Sequence, residues 1–151
     1  MTVSSAVTAY RQYVQPFAGK VKLGAPAVTN GVGSGIGIDW LDQFVGNCTS
    51  CRIDFIPLHW YGDVTNPDSF KTYVTSFYTK FKKPLWITEF GAPGASSAAI
   101  ISFLENVMPW MDSTAYVQRY AYFGDFNAGD PYLLNSDNTL TDIGTVYNSY
   151  R

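Results

Sequence analysis

The sequence has few of the residues that build metal centres. It contains one histidine and two cysteines, Cys48 and Cys51, which form a single C-x-x-C pair. A four-ligand zinc site cannot be assembled from this set, and a thioredoxin-like site would need a helix that starts at the cysteines, where a strand pattern follows instead. Two alternatives remain for the pair. We favour a short-range disulfide, which fits a secreted protein, over two free thiols, and we expect no metal and no cofactor.

The sequence also lacks an excess of positive charge and a long apolar run. Its 10 basic and 12 acidic residues give a net charge of −2 and a pI near 5.1. This balance argues against nucleic acid and anionic lipid as partners. No stretch approaches the ~20 apolar residues of a membrane span, and the first residues have neither the basic start nor the apolar run of a secretion signal. We therefore expect a neutral partner and no membrane span.

Aromatic residues, by contrast, are abundant. The chain has 11 tyrosines, 10 phenylalanines and 4 tryptophans, and its hydrophobic content of 46% is enough for one domain with a sizeable core. Flat aromatic faces suit the apolar faces of sugars. A tyrosine-rich core is the alternative explanation for the same composition.

Helix and strand patterns alternate along the whole chain. Apolar spacing near 3.6 predicts helices, the first capped by Ser4 or Ser5 and the fourth by Ser96 or Ser97, and runs of β-branched and aromatic residues predict strands. The predicted helices are 4–18, 38–45, 67–81, one from 96 or 97 through 107, and 141–150, and the predicted strands are 20–28, 53–61, 83–91 and 117–123. The order αβαβαβαβα predicts an α/β fold with four parallel strands.

Two architectures fit four parallel strands. A flavodoxin-like wrap usually has a fifth strand, and as a binding domain it would need a phosphate-binding glycine loop, for which the glycines at 31–37 have the wrong spacing. A complete (β/α)₈ barrel takes about 250 residues, so this chain has about the size of the C-terminal half of one plus a helix. We favour the half-barrel.

A carboxylate stands at the end of the third predicted strand. Glu89 is one of two glutamates in the chain, and it follows the apolar run that begins at Pro84. The sequence then breaks into a loop at Gly91, which places Glu89 at the carboxyl end of its strand, where α/β proteins bind ligands. The alternative is a glutamate that only caps the helix beginning near Ser96.

Further polar and aromatic residues follow the other strands. The carboxyl ends of parallel strands meet at one edge, so we expect these side chains to lie near Glu89. A carboxylate that attacks an anomeric carbon, a tyrosine or histidine that orients it, and an aromatic floor are the groups that a glycosidase needs around one sugar. The residues at the strand ends are Thr29, Asn30, His59, Tyr61, Glu89, Tyr122 and Asp125.

Four motifs, in order, resemble one known family. The runs 23–30 (LGAPAVTN), 53–61 (IDFIPLHWY), 86–91 (WITEFG) and 119–123 (RYAYF) look like the Asl1-like glycosyl hydrolase catalytic core, glycoside hydrolase family 128. The resemblance implies a TIM barrel, of which residues 1–151 would form strands five to eight, and retaining endo-hydrolysis of β-1,3-glucan, mostly in fungal cell walls. It implies that Glu89 is the nucleophile, with Asn30, His59, Tyr61 and Tyr122 as substrate-binding residues.

The chain departs from the family pattern at the second carboxyl. The family's acid/base glutamate lies in an Asn-Glu-Pro motif, which is absent here. Glu105 belongs to a helix pattern, and neither Asp63 nor Asp125 occupies the place of the acid. We expect this chain to be inactive on its own. The alternative is a non-catalytic remnant that binds glucan or self-associates through its open sheet edges.

The same departure suggests a longer protein. The missing acid, the missing secretion signal and the C-x-x-C pair together favour the hypothesis that Met1 is an internal methionine of a secreted enzyme. We expect the full-length protein to be extracellular or bound to the cell wall.

Overall fold

The computed structural model describes residues 1–92, 94–129 and 131–150. These residues form five α-helices and three parallel strands, which alternate from α2 onward as the sequence predicts. In chain order they are α1 (Val3–Ala9), α2 (Gly37–Asn47), β1 (Ile56–Tyr61), α3 (Pro67–Phe81), β2 (Leu85–Gly91), α4 (Ser97–Ser113), β3 (Val117–Tyr122) and α5 (Asp142–Ser149). The structure confirms the prediction of an α/β half-barrel, and its parallel strands lie in the order β1-β2-β3.

The first helical segment is less regular than its apolar spacing suggests. It begins as α1, widens into a π-helix over Tyr10–Val14 and ends as a 3₁₀ turn over Gln15–Phe17. Thr2 caps it, because the Thr2 hydroxyl accepts a hydrogen bond from the Ser5 backbone amide, so the prediction of Ser4 or Ser5 as the cap is wrong. The other predicted cap is confirmed at Ser96.

The predicted strand over residues 20–28 does not form a regular strand. It runs parallel to the segment that leads into β1, but it pairs only through isolated bridges from Gly24 to Phe55 and from Val28 to Leu58. Pro26 has no amide to donate, and the carboxylate of Asp54 accepts the Leu23 amide at 2.8 Å. These local features interrupt the ladder, so the regular sheet contains three strands where four were predicted.

The core lies between the sheet and the helices. One face of β1 and β2 is covered by α3 and α4, and Trp60 packs edge-on against Phe70 and parallel to Phe103. The fully buried side chains of this layer are Ile56, Leu58, Leu85, Ile87, Phe90, Phe70, Val74, Phe77, Ile100 and Leu104. The opposite face carries His59, Tyr61 and Glu89, and it is the face on which the site is built.

Within the described residues, no helix has both the length and the apolar character that crossing a bilayer requires.

Candidate active site

A β-bulge places Glu89 beside His59. Leu58 on β1 pairs with Ile87 on β2, but the next residue, His59, pairs with Glu89, so Thr88 is an extra residue on β2. A bulge of this kind re-aims the side chains that follow it. It brings the only carboxylate of β2 level with the only histidine of the chain.

One oxygen of Glu89 receives two polar contacts. The phenolic oxygen of Tyr61 donates a hydrogen bond of 2.6 Å to Oε2, and Nδ1 of His59 lies 3.3 Å from the same atom. Oε1 makes no hydrogen bond to any residue that the structure describes. The Glu89 side chain is 34% exposed. The carboxylate is therefore oriented through one oxygen, and the other is not engaged by the described residues.

The environment of Tyr61 keeps its hydroxyl protonated. Burial raises the pKa of Tyr61 above its usual value, and the hydrogen bond to Glu89 and the negative charge of Glu89 raise it further. A tyrosinate would lose this bond and repel the carboxylate. Tyr61 is thus a stable donor to Glu89 throughout the neutral range.

Asn30 holds the backbone at the end of β1. Its Nδ2 donates to the backbone carbonyl of Tyr61 at 2.8 Å, and its Oδ1 accepts from the Tyr61 amide at 3.0 Å. Both halves of the amide bond to the Tyr61 backbone, which gives Asn30 a positioning role, and its substrate-binding role stays a prediction. Because Tyr61 holds Glu89, Asn30 acts on the carboxylate through one intermediate residue.

The structure does not place Tyr122 among the exposed site residues. Its ring is buried on the helix-covered face, where it packs edge-on against Phe90 and lies near Tyr147. The next residue, Phe123, is 42% exposed and packs edge-on against Tyr61 with ring centroids 5.6 Å apart. Phe123 is therefore the exposed aromatic residue beside Tyr61, and the substrate-binding role of Tyr122 stays a prediction. Adjacent residues of an extended segment point to opposite faces, so only one of Tyr122 and Phe123 lies on the side of Tyr61.

The remaining acidic residues lie in other settings. The Asp63 carboxylate accepts two hydrogen bonds from Thr65, which lower the pKa of Asp63, and it belongs to the turn before α3. Glu105 is on α4, and Asp125 is exposed in the loop after β3. Among the described residues, no group of three or more histidine, cysteine or acidic side chains is arranged to hold a metal ion.

Cys48 and Cys51 are joined in a disulfide bond at the end of α2. Cys48 is buried and belongs to the core, and Cys51 is half-buried against it. The bond ties the end of α2 to the segment that enters β1, and both cysteines are distant from Glu89 in the sequence. We therefore assign it a structural role.

Comparison with known proteins places the site in context. A family model described as "Glycosyl hydrolase catalytic core" matches residues 1–147. The chain is 31% identical over 160 residues to Alkali-sensitive linkage protein 1 of Schizosaccharomyces pombe, a match that covers 95% of this chain and 28% of that protein.

Solved structures give a similar result. The chain resembles a GH128 (subgroup III) curdlan-specific exo-β-1,3-glucanase from Blastomyces gilchristii at 36% identity and a TM-score of 0.85, covering 97% of this chain and 62% of that one. It resembles a GH128 (subgroup I) endo-β-1,3-glucanase from Amycolatopsis mediterranei, solved with laminaritriose, at 28% identity and a TM-score of 0.84, covering 100% of this chain and 66% of that one. The chain thus spans about three fifths to two thirds of the enzymes it resembles.

Proposed function

The chain belongs to the glycosyl hydrolase catalytic core family, within glycoside hydrolase family 128, and on that premise we propose that it is the part of a β-1,3-glucan hydrolase that carries the nucleophile, Glu89. The observation that carries the proposal is the asymmetry of the carboxylate. Oε2 is held by Tyr61 and contacted by His59, while Oε1 is unengaged by the described residues. A nucleophile needs such an arrangement, because one oxygen must stay fixed while the other attacks.

The proposed reaction is a retaining displacement in two steps. Oε1 attacks the anomeric carbon, an ester bond to the glucosyl unit forms, and the bond to the departing oxygen breaks as that oxygen takes a proton from a carboxylic acid. Water then attacks the same anomeric carbon, the bond from that carbon to Oε1 breaks and frees the Glu89 carboxylate, and the water gives a proton to the same acid in its ionised form. Tyr61 and His59 hold the carboxylate before the attack, and Phe123 packs against the ring of Tyr61.

The second carboxyl would come from outside the residues described here. A retaining pair stands about 5 to 5.5 Å apart. Glu105, Asp63 and Asp125 do not contact Glu89, His59 or Tyr61 in any hydrogen bond within the described residues, and Asp63 is engaged by Thr65. We propose that the acid lies in a further segment of a secreted, longer protein, and that the present chain binds glucan without cleaving it efficiently.

A second candidate function is a non-catalytic glucan-binding or self-associating protein. One observation favours self-association. On the face of the sheet that carries Glu89, the Trp86 ring stacks on Phe55 with ring centroids 3.9 Å apart, and the exposed Arg119 guanidinium lies 4.8 Å from the Trp86 ring centroid. Such a face could be covered by a second chain.

Incubation with laminarihexaose separates the two functions. The hydrolase proposal predicts that the chain binds the hexasaccharide and that, when it is part of a longer protein with the acid, it releases shorter oligosaccharides. Glu89→Gln should abolish release and preserve binding, because glutamine keeps the shape and removes the nucleophile. Release of product by the Glu89→Gln variant at the parent rate would contradict the assignment. Binding without release by the longer protein would favour the non-catalytic candidate.

A further inference from the structure

A second exposed phenylalanine extends the aromatic row that begins at the site. Phe126 is 49% exposed, and its ring packs edge-on against Phe123 with centroids 5.7 Å apart and against Tyr132 with centroids 5.1 Å apart. Phe123 in turn contacts Tyr61, whose hydroxyl donates a hydrogen bond to Glu89. The row Tyr61-Phe123-Phe126 is therefore continuous with the carboxylate and leads away from it.

The loop that carries Phe126 is held in place by hydrogen bonds. The Leu133 amide donates to the Gly124 carbonyl at 2.8 Å, and the Thr141 hydroxyl donates to the Tyr132 carbonyl at 2.7 Å. Gly124 has a φ of +121°, and a Cβ on it would lie 2.5 Å from the Tyr132 ring, so this close approach requires glycine. The loop thus presents Phe126 at a fixed place beside the site.

We propose that Phe126 forms a subsite for a glucosyl unit of β-1,3-glucan, adjacent to the unit that Glu89 attacks. The inference rests on the proposed function and adds to it a residue that determines how the chain binds longer glucans. Half-exposed aromatic rings in a row bury the apolar face of a pyranose, and the neighbouring Asp125, which is exposed, offers a carboxylate to sugar hydroxyls. An occupant with both an apolar face and a rim of hydroxyls matches this combination.

A binding titration with laminarihexaose tests the subsite. We expect Phe126→Leu to raise the dissociation constant of the hexasaccharide about threefold to tenfold, since it keeps apolar bulk and removes the flat ring. Phe126→Tyr should keep the dissociation constant of the parent, because it keeps a flat aromatic ring.

Phe17→Leu provides the matched control. Phe17 is 52% exposed in the 3₁₀ turn near the N-terminus, far along the chain from Glu89, so its replacement should leave the dissociation constant unchanged. The thermal midpoint of each variant should match that of the parent, which excludes unfolding as the cause of weaker binding.

The outcomes distinguish the subsite from the proposed function. If the parent binds laminarihexaose and Phe126→Leu binds it equally well, the subsite is wrong and the glucan assignment stands. If the parent does not bind laminarihexaose, both are overturned. If Phe126→Leu leaves binding unchanged but shifts the sedimentation coefficient from that of a dimer to that of a monomer, Phe126 is a contact between chains and the subsite is overturned.

Discussion

The phenolic oxygen of Tyr61 lies 2.6 Å from Oε2 of Glu89, and the two residues lie at or near the carboxyl ends of neighbouring parallel strands, β1 and β2. The contact depends on the register between these strands, because the extra residue Thr88 in β2 turns Glu89 toward the face of Tyr61. The register between the two strands therefore determines the hydrogen bond that orients the carboxylate. Substitutions that disturb the strand ends should therefore affect the carboxylate.

Tyr61→Phe should slow attack by Glu89 without unfolding the protein. The variant keeps the ring that packs against Phe123 and removes only the hydroxyl that holds Oε2. Loss of this positioning should lower the rate of glycosylation about tenfold to a hundredfold. The rate can be followed as release of dinitrophenolate from 2,4-dinitrophenyl 2-deoxy-2-fluoro-β-laminaribioside, whose leaving group needs no protonation.

Tyr116→Phe is the control for this substitution. The Tyr116 hydroxyl bonds to Thr75 on the helix-covered side of the protein, so its removal also deletes one phenolic hydrogen bond but should leave the rate unchanged. Equal rates for Tyr61→Phe and the parent would show that the hydroxyl does not orient the carboxylate.

Asn30→Ala should lower both stability and the rate of glycosylation. It removes two hydrogen bonds to the Tyr61 backbone and leaves a peptide group unpaired, which costs about 1 to 3 kcal/mol. Asn30→Asp should have an intermediate effect on the thermal midpoint, because it keeps an acceptor for the Tyr61 amide and loses the donor to the Tyr61 carbonyl. Asn47→Ala, which removes one exposed bond on α2, should change the midpoint little. The positioning role would be untenable if Asn30→Ala lost stability but kept the parent rate.

Asp54 should make stability depend on pH in the acid range. The Leu23 amide and the Arg52 guanidinium both donate to its carboxylate, and they hold the pKa of Asp54 below its usual value. The folded state therefore binds this proton less readily than the unfolded chain. The stabilisation is full above the unfolded pKa of about 3.9 and is lost as the pH falls through the lower folded value.

Urea unfolding between pH 2 and pH 6 measures this effect. Asp54→Asn cannot ionise, so its free energy of unfolding should fall less steeply on acidification than that of the parent. Asp68→Asn, a change at an exposed carboxylate 3.8 Å from Lys71, is the control and should keep the parent slope. Parallel curves for Asp54→Asn and the parent would refute the role of Asp54.

Much of the fold follows from local patterns in the sequence. The helix over 67–81 was predicted to its ends because Pro67 suits a first turn and Phe70, Val74 and Phe77 repeat along one buried face. The segment over 20–28 was predicted as a strand but does not form a regular one. Pro26 has no amide to donate, and the Leu23 amide bonds to the side chain of Asp54, which is distant in sequence. Short-range patterns do not report such contacts.

The candidate site was predicted only in part, because some of its contacts join residues that are distant in the sequence. His59, Tyr61 and Glu89 come together because parallel strands end at one edge, which the order of elements already implies. Which of Tyr122 and Phe123 lies beside Tyr61 could not be counted from the sequence, because β3 pairs irregularly with β2 between Ile87 and Phe90. The role of Asn30 depends on two hydrogen bonds that only the folded chain forms.

Covalent trapping is the most direct test of whether Glu89 is the nucleophile. The fluorinated laminaribioside described above should form a stable ester, with dinitrophenolate leaving as the anomeric carbon bonds to a carboxylate oxygen. We expect that the intact mass rises by one fluorolaminaribiosyl group, that peptide mapping places the group on Glu89, and that Glu89→Gln remains unlabelled. Labelling at another carboxylate, or equal labelling of Glu89→Gln, would contradict the assignment of Glu89 as the nucleophile.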